Sequence, residues 1–417
     1  MTKRFSRIVS PSLAVAMMLT LFAAQPESSA RSDTRHRKAG GAPAEPAARG
    51  LTVHEWGTFT AIAGRDGRPV EWRPLVGPSD LPSFVYDLGG AQEAQGLRHG
   101  YQCLKCQEAT VRMETPVLYF YAARPTTVAV SVGFVKGLIT EWYPQARAAF
   151  YGNPNSYVDW GRITVMPDAT ESLPGDWKAS HYYAARETDA ALVRVCGKQE
   201  TQHEKFLFYR GVGSFDLPLS VKLEGDHLNV SNVGGDAVAS LIVFENRNGQ
   251  VGYRVGELRD GELRVERPSL NQTQQEVERE LVTLLIGEGL YEKEARAMVA
   301  TWRDSWFEEG LRVFYVVPRA LTDKTLPLYI DPKPASLVRV LVGRTEVITP
   351  EMEQAIQRQL EPLNDAAPDL HSVTMQVIRS HGRFAEPILK EMMEKTSNER
   401  LRNYLNQIIR TSRAALE

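Results

Sequence analysis

Short segments in which apolar and polar residues alternate, rich in β-branched and aromatic side chains, recur through the chain from Leu51 onward. Alternation of this kind predicts β-strands with one buried face. Gly and Pro residues separate the segments, and this spacing favours sandwich or barrel sheets over βαβ units. The predicted strands are residues 51–60, 117–121, 127–135, 163–166, 191–195, 205–209, 220–223, 227–230, 238–246 and 252–255. Segments 117–121 and 127–135 predict a hairpin, with Val128, Val130 and Val132 on its buried side.

A helical period replaces the strand pattern after Pro268. Residues 276–286 and 292–307 carry apolar side chains three and four positions apart around a Gly-rich break, and they predict a helical hairpin at residues 273–309. Strand patterns at 313–317 and 338–342 follow. The hairpin is therefore expected to be inserted between strands.

The last part of the chain has a helix-start signal. Thr349, Pro350 and Glu351 supply an N-cap, a proline at the first helical position and a first-turn acid. Residues 346–417 therefore predict a helical C-terminal region, and residues 51–345 one or two β-rich domains. The expected fold is mainly β, with sandwich-like sheets, an inserted helical hairpin and a C-terminal helical appendage, so that it is α+β overall.

The N-terminus has the features of a secretory signal peptide, predicted at residues 1–30. Basic residues from Lys3 to Arg7 precede an apolar run at 13–24, which is shorter than the ~20 residues that cross a bilayer. An uncleaved anchor is the alternative. Residues 31–50 contain hardly any apolar side chain and predict a disordered linker. We therefore expect an exported protein, periplasmic or extracellular.

The charge balance and the absence of common motifs exclude several functions. A formal net charge of −2 over 417 residues is too nearly neutral for a general polyanion binder, so nucleic acid is not an expected partner. The sequence contains no His-Glu-x-x-His, no Gly-x-Ser-x-Gly, no phosphate loop and no Gly-x-Gly-x-x-Gly. Chemistry must therefore be sought in segments dense in His, Trp, Tyr, Arg and acidic residues.

The first such segment is in the opening strand, where His54 and Trp56 share one face and Glu55 points to the other. We expect one of these residues to line a pocket. The alternative is that His54 and Trp56 pack at a sheet edge, with Glu55 in solvent or paired with an arginine.

The second segment, residues 180–189, holds a histidine, two tyrosines, an arginine and two acids. Such a group is costly to bury unless its members satisfy one another, a metal or a ligand. An exposed polar loop with an Arg186 ion pair is the alternative here.

The third segment, residues 301–310, places Trp302 and Trp306 on one helix face and Asp304 and Glu308 on another. The two acids suit a general acid and base or cation ligands, although an exposed acidic face is the commoner outcome. Glu-Trp pairs at 55–56, 71–72 and 141–142 would form a carbohydrate-binding platform if they came together.

These segments supply the predicted site residues. They are catalytic His181, Glu187 and Asp304; substrate-binding Trp56, Tyr182, Arg186 and Arg210; and metal-ligating His54, His181 and Asp189. Carboxylate and imidazole ligands would suit a divalent metal, and no residue pattern identifies another cofactor.

The sequence has three cysteines. Cys103 and Cys106 form a C-x-x-C without a following histidine, which excludes covalent haem attachment, and a disulfide between two of the three cysteines would leave one thiol over. A structural zinc site formed by Cys103, Cys106, Cys196 and His203 is the alternative, although half of the usual second zinc knuckle is missing.

Several long segments resemble an uncharacterised family of exported bacterial proteins. The segments are HEWGTFT from His54, RMETPVLYFY from Arg112, SHYYAARETD from Ser180, residues 204–211, and residues 291–310 with TWRDSWFEEG. The resemblance covers most of residues 51–345. It implies a shared architecture and export, and it implies no activity.

Two functions therefore remain open. The first is an envelope or extracellular hydrolase, metal-assisted through the histidines and acids above, acting on a small-molecule, glycan or peptide substrate. The second is a non-catalytic binding or scaffold protein of the cell envelope, which binds a protein partner through its C-terminal helices.

Overall fold

The computed structural model describes residues 50–76, 80–90, 107–150, 155–177, 179–197, 200–364 and 369–414. All of them belong to one compact unit, Ala44–Glu417. The predicted signal peptide, the predicted linker up to residue 49, and Cys103 and Cys106 lie outside the described residues. Within the described ranges, no helix combines the length and the hydrophobicity needed to cross a bilayer.

Strands dominate the described chain, which confirms the mainly β fold class with C-terminal helices. The strands are β1 (Thr52–Ala63), β2 (Tyr86–Asp87), β3 (Val111–Tyr121), β4 (Thr126–Phe134), β5 (Gly137–Tyr143), β6 (Arg147–Phe150), β7 (Ser156–Met166), β8 (Leu192–Cys196), β9 (Thr201–Glu204), β10 (Leu207–Gly213), β11 (Leu219–Glu224), β12 (His227–Asn232), β13 (Ser240–Arg247), β14 (Gln250–Glu257), β15 (Glu262–Glu266), β16 (Gly310–Val316), β17 (Leu328–Asp331) and β18 (Ser336–Val347).

Apart from short segments earlier in the chain, the helices lie between β15 and β18 and after β18. The α-helices are α1 (Gln274–Gly287), α2 (Glu292–Thr301), α3 (Arg303–Trp306), α4 (Arg319–Thr325), α5 (Pro350–Leu360), α6 (Leu370–His381), α7 (Ala385–Lys395) and α8 (Glu399–Ala414). The 3-10 helices are His181–Arg186, Glu361–Asn364 and Gly382–Phe384. Thr349 caps α5 and Pro350 begins it, which confirms the predicted helix start.

Three sheets carry the strands. A nine-stranded sheet has the order β14-β13-β16-β18-β1-β3-β10-β5-β2, a second sheet has the order β17-β4-β7-β8-β9 with β6 paired to β7, and a third has the order β11-β12-β15. The predicted hairpin of residues 117–121 and 127–135 is wrong, because β3 and β4 belong to different sheets. The turn between them carries the chain across the sandwich. Val128, Val130 and Val132 nevertheless share the buried face of β4.

The nine-stranded sheet is covered on both faces. One face packs against the two smaller sheets, where Val53, Phe59 and Val130 lie in the sandwich core. The other face packs against α1–α3, where Trp56 and Leu281 lie in a helix-side core. Residues at the end of β1 and after β18 join a third core with α5–α8. Side-chain alternation places Val53 and Phe59 on the sandwich face of β1 and Trp56 and Ile62 on the opposite face, with Ile62 at the end that meets the C-terminal helices.

Strand β1 lies in the middle of the large sheet, parallel to β18 and antiparallel to β3. Its register with β3 shifts between Trp56 and Thr58. Opposite that shift, Thr115 has a positive φ of 47°. A β-bulge of this kind bends the strand locally, and His54 and Trp56 precede the bend while Thr58 and Thr60 follow it.

Candidate functional site

His54 lies in a buried polar network and not at a sheet edge. Its Nδ1 is 2.7 Å from Glu294 Oε2, and the Tyr121 hydroxyl donates to Glu294 Oε1 at 2.8 Å. The Tyr291 backbone N–H donates to the same carboxylate at 2.8 Å. His54 is 2% exposed and Glu294 is not exposed. Burial and the Glu294 carboxylate raise the pKa of Tyr121, which keeps its hydroxyl a donor. The network connects β1, β3 and α2.

Glu55 points to the opposite face of β1, as predicted, but into the sandwich core. It is fully buried, and the Tyr209 hydroxyl donates to its Oε1 at 2.7 Å. Arg339, on the neighbouring strand β18, donates to Oε2 at 2.5 Å and to Asp323 at 2.7 Å. Glu55 is therefore paired with an arginine.

Residues 181–186 form a 3-10 helix, and Ser180 caps it with a side chain that accepts from the Tyr182 N–H. Arg186 donates to both oxygens of the buried Glu204, from Nε at 3.0 Å and from Nη2 at 2.6 Å. The Tyr182 hydroxyl donates to Glu204 at 3.0 Å. The Arg186 guanidinium also lies 5.0 Å from the centre of the Tyr183 ring. The two predicted substrate-binding residues of this segment therefore bind a carboxylate of the protein itself.

Arg210 is held in the same way. It is 5% exposed, and it donates to Asp80 at 2.7 Å and to Glu141 at 2.8 Å. Its register partner on β5 is Glu141. This guanidinium therefore already has two anionic partners.

His181 and Asp304 do come together. His181 Nε2 lies 3.1 Å from Asp304 Oδ2, with side-chain exposures of 35% and 64%. Glu187 is exposed. Asp189 pairs with Lys293 at 2.5 Å on the surface. A histidine held by a carboxylate can accept a proton from water or from a substrate.

The predicted metal ligands do not form one site. His54 faces inward to Glu294, whereas His181 and Asp189 pair with other partners nearer the surface. In the described ranges, no three His, Cys, Asp or Glu side chains are arranged to hold a metal ion. Cys196 is an exposed free thiol and His203 is partly exposed on β9, whereas the other two ligands of the alternative zinc site, Cys103 and Cys106, lie outside the described residues.

The predicted aromatic platform is also wrong. Trp56, Trp72 and Trp142 are 0%, 3% and 2% exposed. Apolar burial of an indole is more favourable than its exposure on a sheet, and all three lie in the protein interior. Trp302 and Trp306 are likewise buried, in the helix-side core.

A buried Arg–Glu cluster, formed by Arg312, Arg344, Arg383, Glu308 and Glu346, connects the large sheet to the C-terminal helices. Arg312 Nε lies 3.1 Å from Glu346 Oε2, and Arg383 Nη2 lies 2.9 Å from Glu346 Oε1. Arg344 bonds Glu346 and donates to Glu308 at 2.9 Å. Although burial raises the pKa of Glu346, the three arginines hold it at about 2. Burial and the neighbouring arginines lower the pKa of Arg312 to about 10.

A cleft of about 310 Å³ adjoins this cluster, between the sheet and the C-terminal helices. Its lining residues from the β-rich part are Trp72, Arg73, Pro74, Val76 and Arg112, and those from the helical part are Ile378, Gly382, Arg383, Ala385, Glu386 and Leu389. Backbone hydrogen bonds between Trp72 and Ala109, of 3.0 and 2.9 Å, fix one wall. Arg73 Nε lies 2.7 Å from Glu386 Oε2 and connects the two walls. The lining combines apolar side chains with a few charged groups, the composition of small-molecule sites.

Two other hollows lack buried charged side chains such as Arg73 and Glu386. One, of about 420 Å³, is lined by Lys136, Lys324, Asp216 and Asp236 among other residues, and all four are exposed. The other, of about 590 Å³, is a groove between α1 and α2. We therefore take the cleft as the candidate site.

No family model matches this chain, and no curated protein is significantly similar to it. The resemblance to exported bacterial proteins therefore stays a prediction. Function must be inferred from the geometry of the described residues.

Sequence reasoning missed the residues of the cleft. A signal was present for the adjoining Arg–Glu cluster, because Arg312, Arg344 and Glu346 interrupt apolar strand patterns at positions that alternation predicts to be buried. A charged residue at such a position requires a partner. The pattern could not identify that partner, because Arg383 lies 37 residues from Glu346 along the chain.

Proposed function

We propose that this is an exported, non-catalytic binding protein of the cell envelope, which holds a small ligand in the cleft between its large sheet and its C-terminal helices. One observation carries the proposal. The cleft combines apolar walls with arginines from two separate parts of the chain, whereas most of the predicted site residues are dispersed and paired with other side chains of the protein.

The dispersal argues against a conventional catalytic site. Catalysis requires several groups to face one substrate position at distances of about 3 Å. Tyr182 and Arg186 face Glu204, Arg210 faces two other carboxylates, and Trp56 is in the core. Binding requires only a shaped, partly apolar hollow with a few orienting polar groups.

The location of the ligand site is tested by filling the cleft. Val76→Trp places an indole in the hollow, and Val135→Trp does the same in the 420 Å³ hollow as a matched control. Ligand-observed NMR with a fragment library on the full chain should find ligands that bind the wild type and the control but not Val76→Trp. Ligands that bind all three proteins equally would exclude the cleft.

A hydrolase is the second candidate, favoured by the His181–Asp304 pair of 3.1 Å. In this proposal His181 accepts a proton from water and Asp304 orients the imidazole. Ester, glycoside and peptide substrates should be turned over by the wild type, and the rate should fall at least a hundredfold in His181→Ala. His203→Ala, at a partly exposed histidine on β9, is the control. A rate that survives in His181→Ala would remove this candidate.

Export is part of the proposal and has its own test. Mass spectrometry of the protein recovered from the periplasm and from the medium should give a mature N-terminus near residue 31. Recovery of the intact chain in the cytoplasmic fraction would contradict export.

A further inference from the structure

We infer that the ligand of the cleft is a small organic anion, with a carboxylate or phosphate group bound by Arg112 and Arg383 and an apolar body packed between Val76, Ile378 and Leu389. The inference rests on the proposed function, because it specifies the chemistry of the same cleft.

The charges that line the cleft are unequal. Arg73, Arg112 and Arg383 face it, against one carboxylate, Glu386. That carboxylate is already engaged, by Arg73 at 2.7 Å and by Lys390 at 3.2 Å. The other two arginines of the lining are Arg112 and Arg383.

Arg112 is held only loosely by the protein. Its Nε lies 3.5 Å from Glu114 Oε1, beyond ordinary hydrogen-bond distance, and this Nε donates no hydrogen bond to a described residue. Glu114 also accepts a hydrogen bond from Thr60 at 3.1 Å. Burial raises the pKa of Asp80, but Arg210 and Arg112 outweigh it and the pKa lies below its ordinary value. The Asp80 carboxylate nevertheless bonds Arg210. The Arg112 side chain is 24% exposed and lines the cleft.

Arg383 offers a second, partly used guanidinium. Its Nη2 bonds Glu308 and Glu346, whereas its Nε donates to no described residue. Its side chain is also 24% exposed. Arg112 and the Arg–Glu cluster together hold four arginines against three glutamates, an excess of one positive charge among these residues: Arg112, Arg312, Arg344 and Arg383 against Glu114, Glu308 and Glu346. An entering anion would balance that excess.

Guanidinium groups match the oxygens of carboxylates and phosphates, and charge-assisted hydrogen bonds in a partly desolvated site are strong. The aliphatic side chains on the remaining walls would leave a purely inorganic anion without contacts there. An anion with an apolar body would satisfy both kinds of wall.

The test measures four probes by isothermal titration calorimetry on the full chain: benzoate, phenyl phosphate, inorganic phosphate and neutral benzyl alcohol. Either aromatic anion should bind, and benzyl alcohol at least tenfold more weakly. Arg112→Gln should weaken anion binding at least tenfold. The matched control, Arg296→Gln, removes the same charge at an exposed arginine on α2 and should leave binding unchanged. Added salt should weaken binding to the wild type.

The outcomes separate the ligand sources and the two proposals. Tighter binding of benzoate would identify a carboxylate ligand, and tighter binding of phenyl phosphate would identify a phosphate ester. Either result supports the inference. Binding of inorganic phosphate alone, equal loss in Arg296→Gln, or no binding of any anion would overturn it. Binding of benzyl alcohol that is blocked by Val76→Trp but not by Arg112→Gln would overturn the anion and leave the proposed binding function standing.

Discussion

Fully buried carboxylates hold distant parts of this chain together, and each has its own partners. They are Glu55, Glu204, Glu294 and Glu346. Burying a charge costs several kcal/mol unless hydrogen bonds and counter-charges offset it. The sequence predicts which face of β1 His54 and Glu55 occupy, because strand alternation is local. It does not predict their partners, since His54 and Glu294 are 240 residues apart.

Glu294→Ala tests the His54 network. The change should lower the free energy of unfolding by about 3 kcal/mol, because two buried donors and one partly buried donor lose their acceptor. Urea denaturation measures the loss. Glu292→Ala, at an exposed position of the same helix, should stay within about 0.5 kcal/mol of wild type. Equal effects of the two changes would argue against a structural network.

Glu346 should make stability depend on pH in acid. Its folded-state pKa of about 2 is below the ordinary 4.5, so its contribution is complete above pH 4.5 and is lost as the pH falls towards 2. The shift corresponds to a contribution on the order of 3 kcal/mol. The difference in unfolding free energy between wild type and Glu346→Gln should therefore shrink as pH falls from 5 to 2. A difference that stays constant over this range would contradict the assignment.

At the scale of elements, local sequence patterns predict which strands and helices form better than they predict which strands pair. Alternation identifies β1 and β4, and the cap at Thr349 identifies α5, because both signals lie within a few residues. The pairing of β3 and β4 is wrong, since nothing in the turn specifies a crossing between sheets. Residues 181–186 form a 3-10 helix because their side chains meet Glu204 and the helix-side core, which is tertiary information.

Gly57→Ala tests the β-bulge between β1 and β3, where Gly57 of β1 lies opposite Thr115 and Pro116 of β3. A Cβ at position 57 would lie 2.9 Å from Pro116 Cα and from Leu341 Cδ1, so the backbone of β3 must move. The change should cost about 1–3 kcal/mol in thermal or urea unfolding. Gly235→Ala is the control, since a Cβ there meets nothing within 4 Å. A Gly57→Ala protein as stable as the control would mean that the bulge accepts a side chain.

At the scale of the whole molecule, the cleft exists, and Arg383 reaches the Arg–Glu cluster, only because the C-terminal helices dock on the large sheet. Arg73 and Glu386 are 313 residues apart, and yet they connect the two walls. Sequence patterns predict the helical region and the β-rich part separately. Where the two meet depends on the docking geometry, which no local pattern specifies, and so the candidate site was missed.

Arg383→Met tests that docking. Arg383 bonds Glu308 at the end of the inserted helices and Glu346 on β18, so its loss should loosen α6 and α7 before the sheet unfolds. Hydrogen exchange should rise at least tenfold in residues 370–395 and remain unchanged in β1 and β3. Arg379→Met, at an exposed position of α6, is the matched control and should leave exchange at the wild-type rate. If exchange rises equally in β1, the cluster stabilises the whole unit cooperatively, and the C-terminal helices cannot open independently of the sheet.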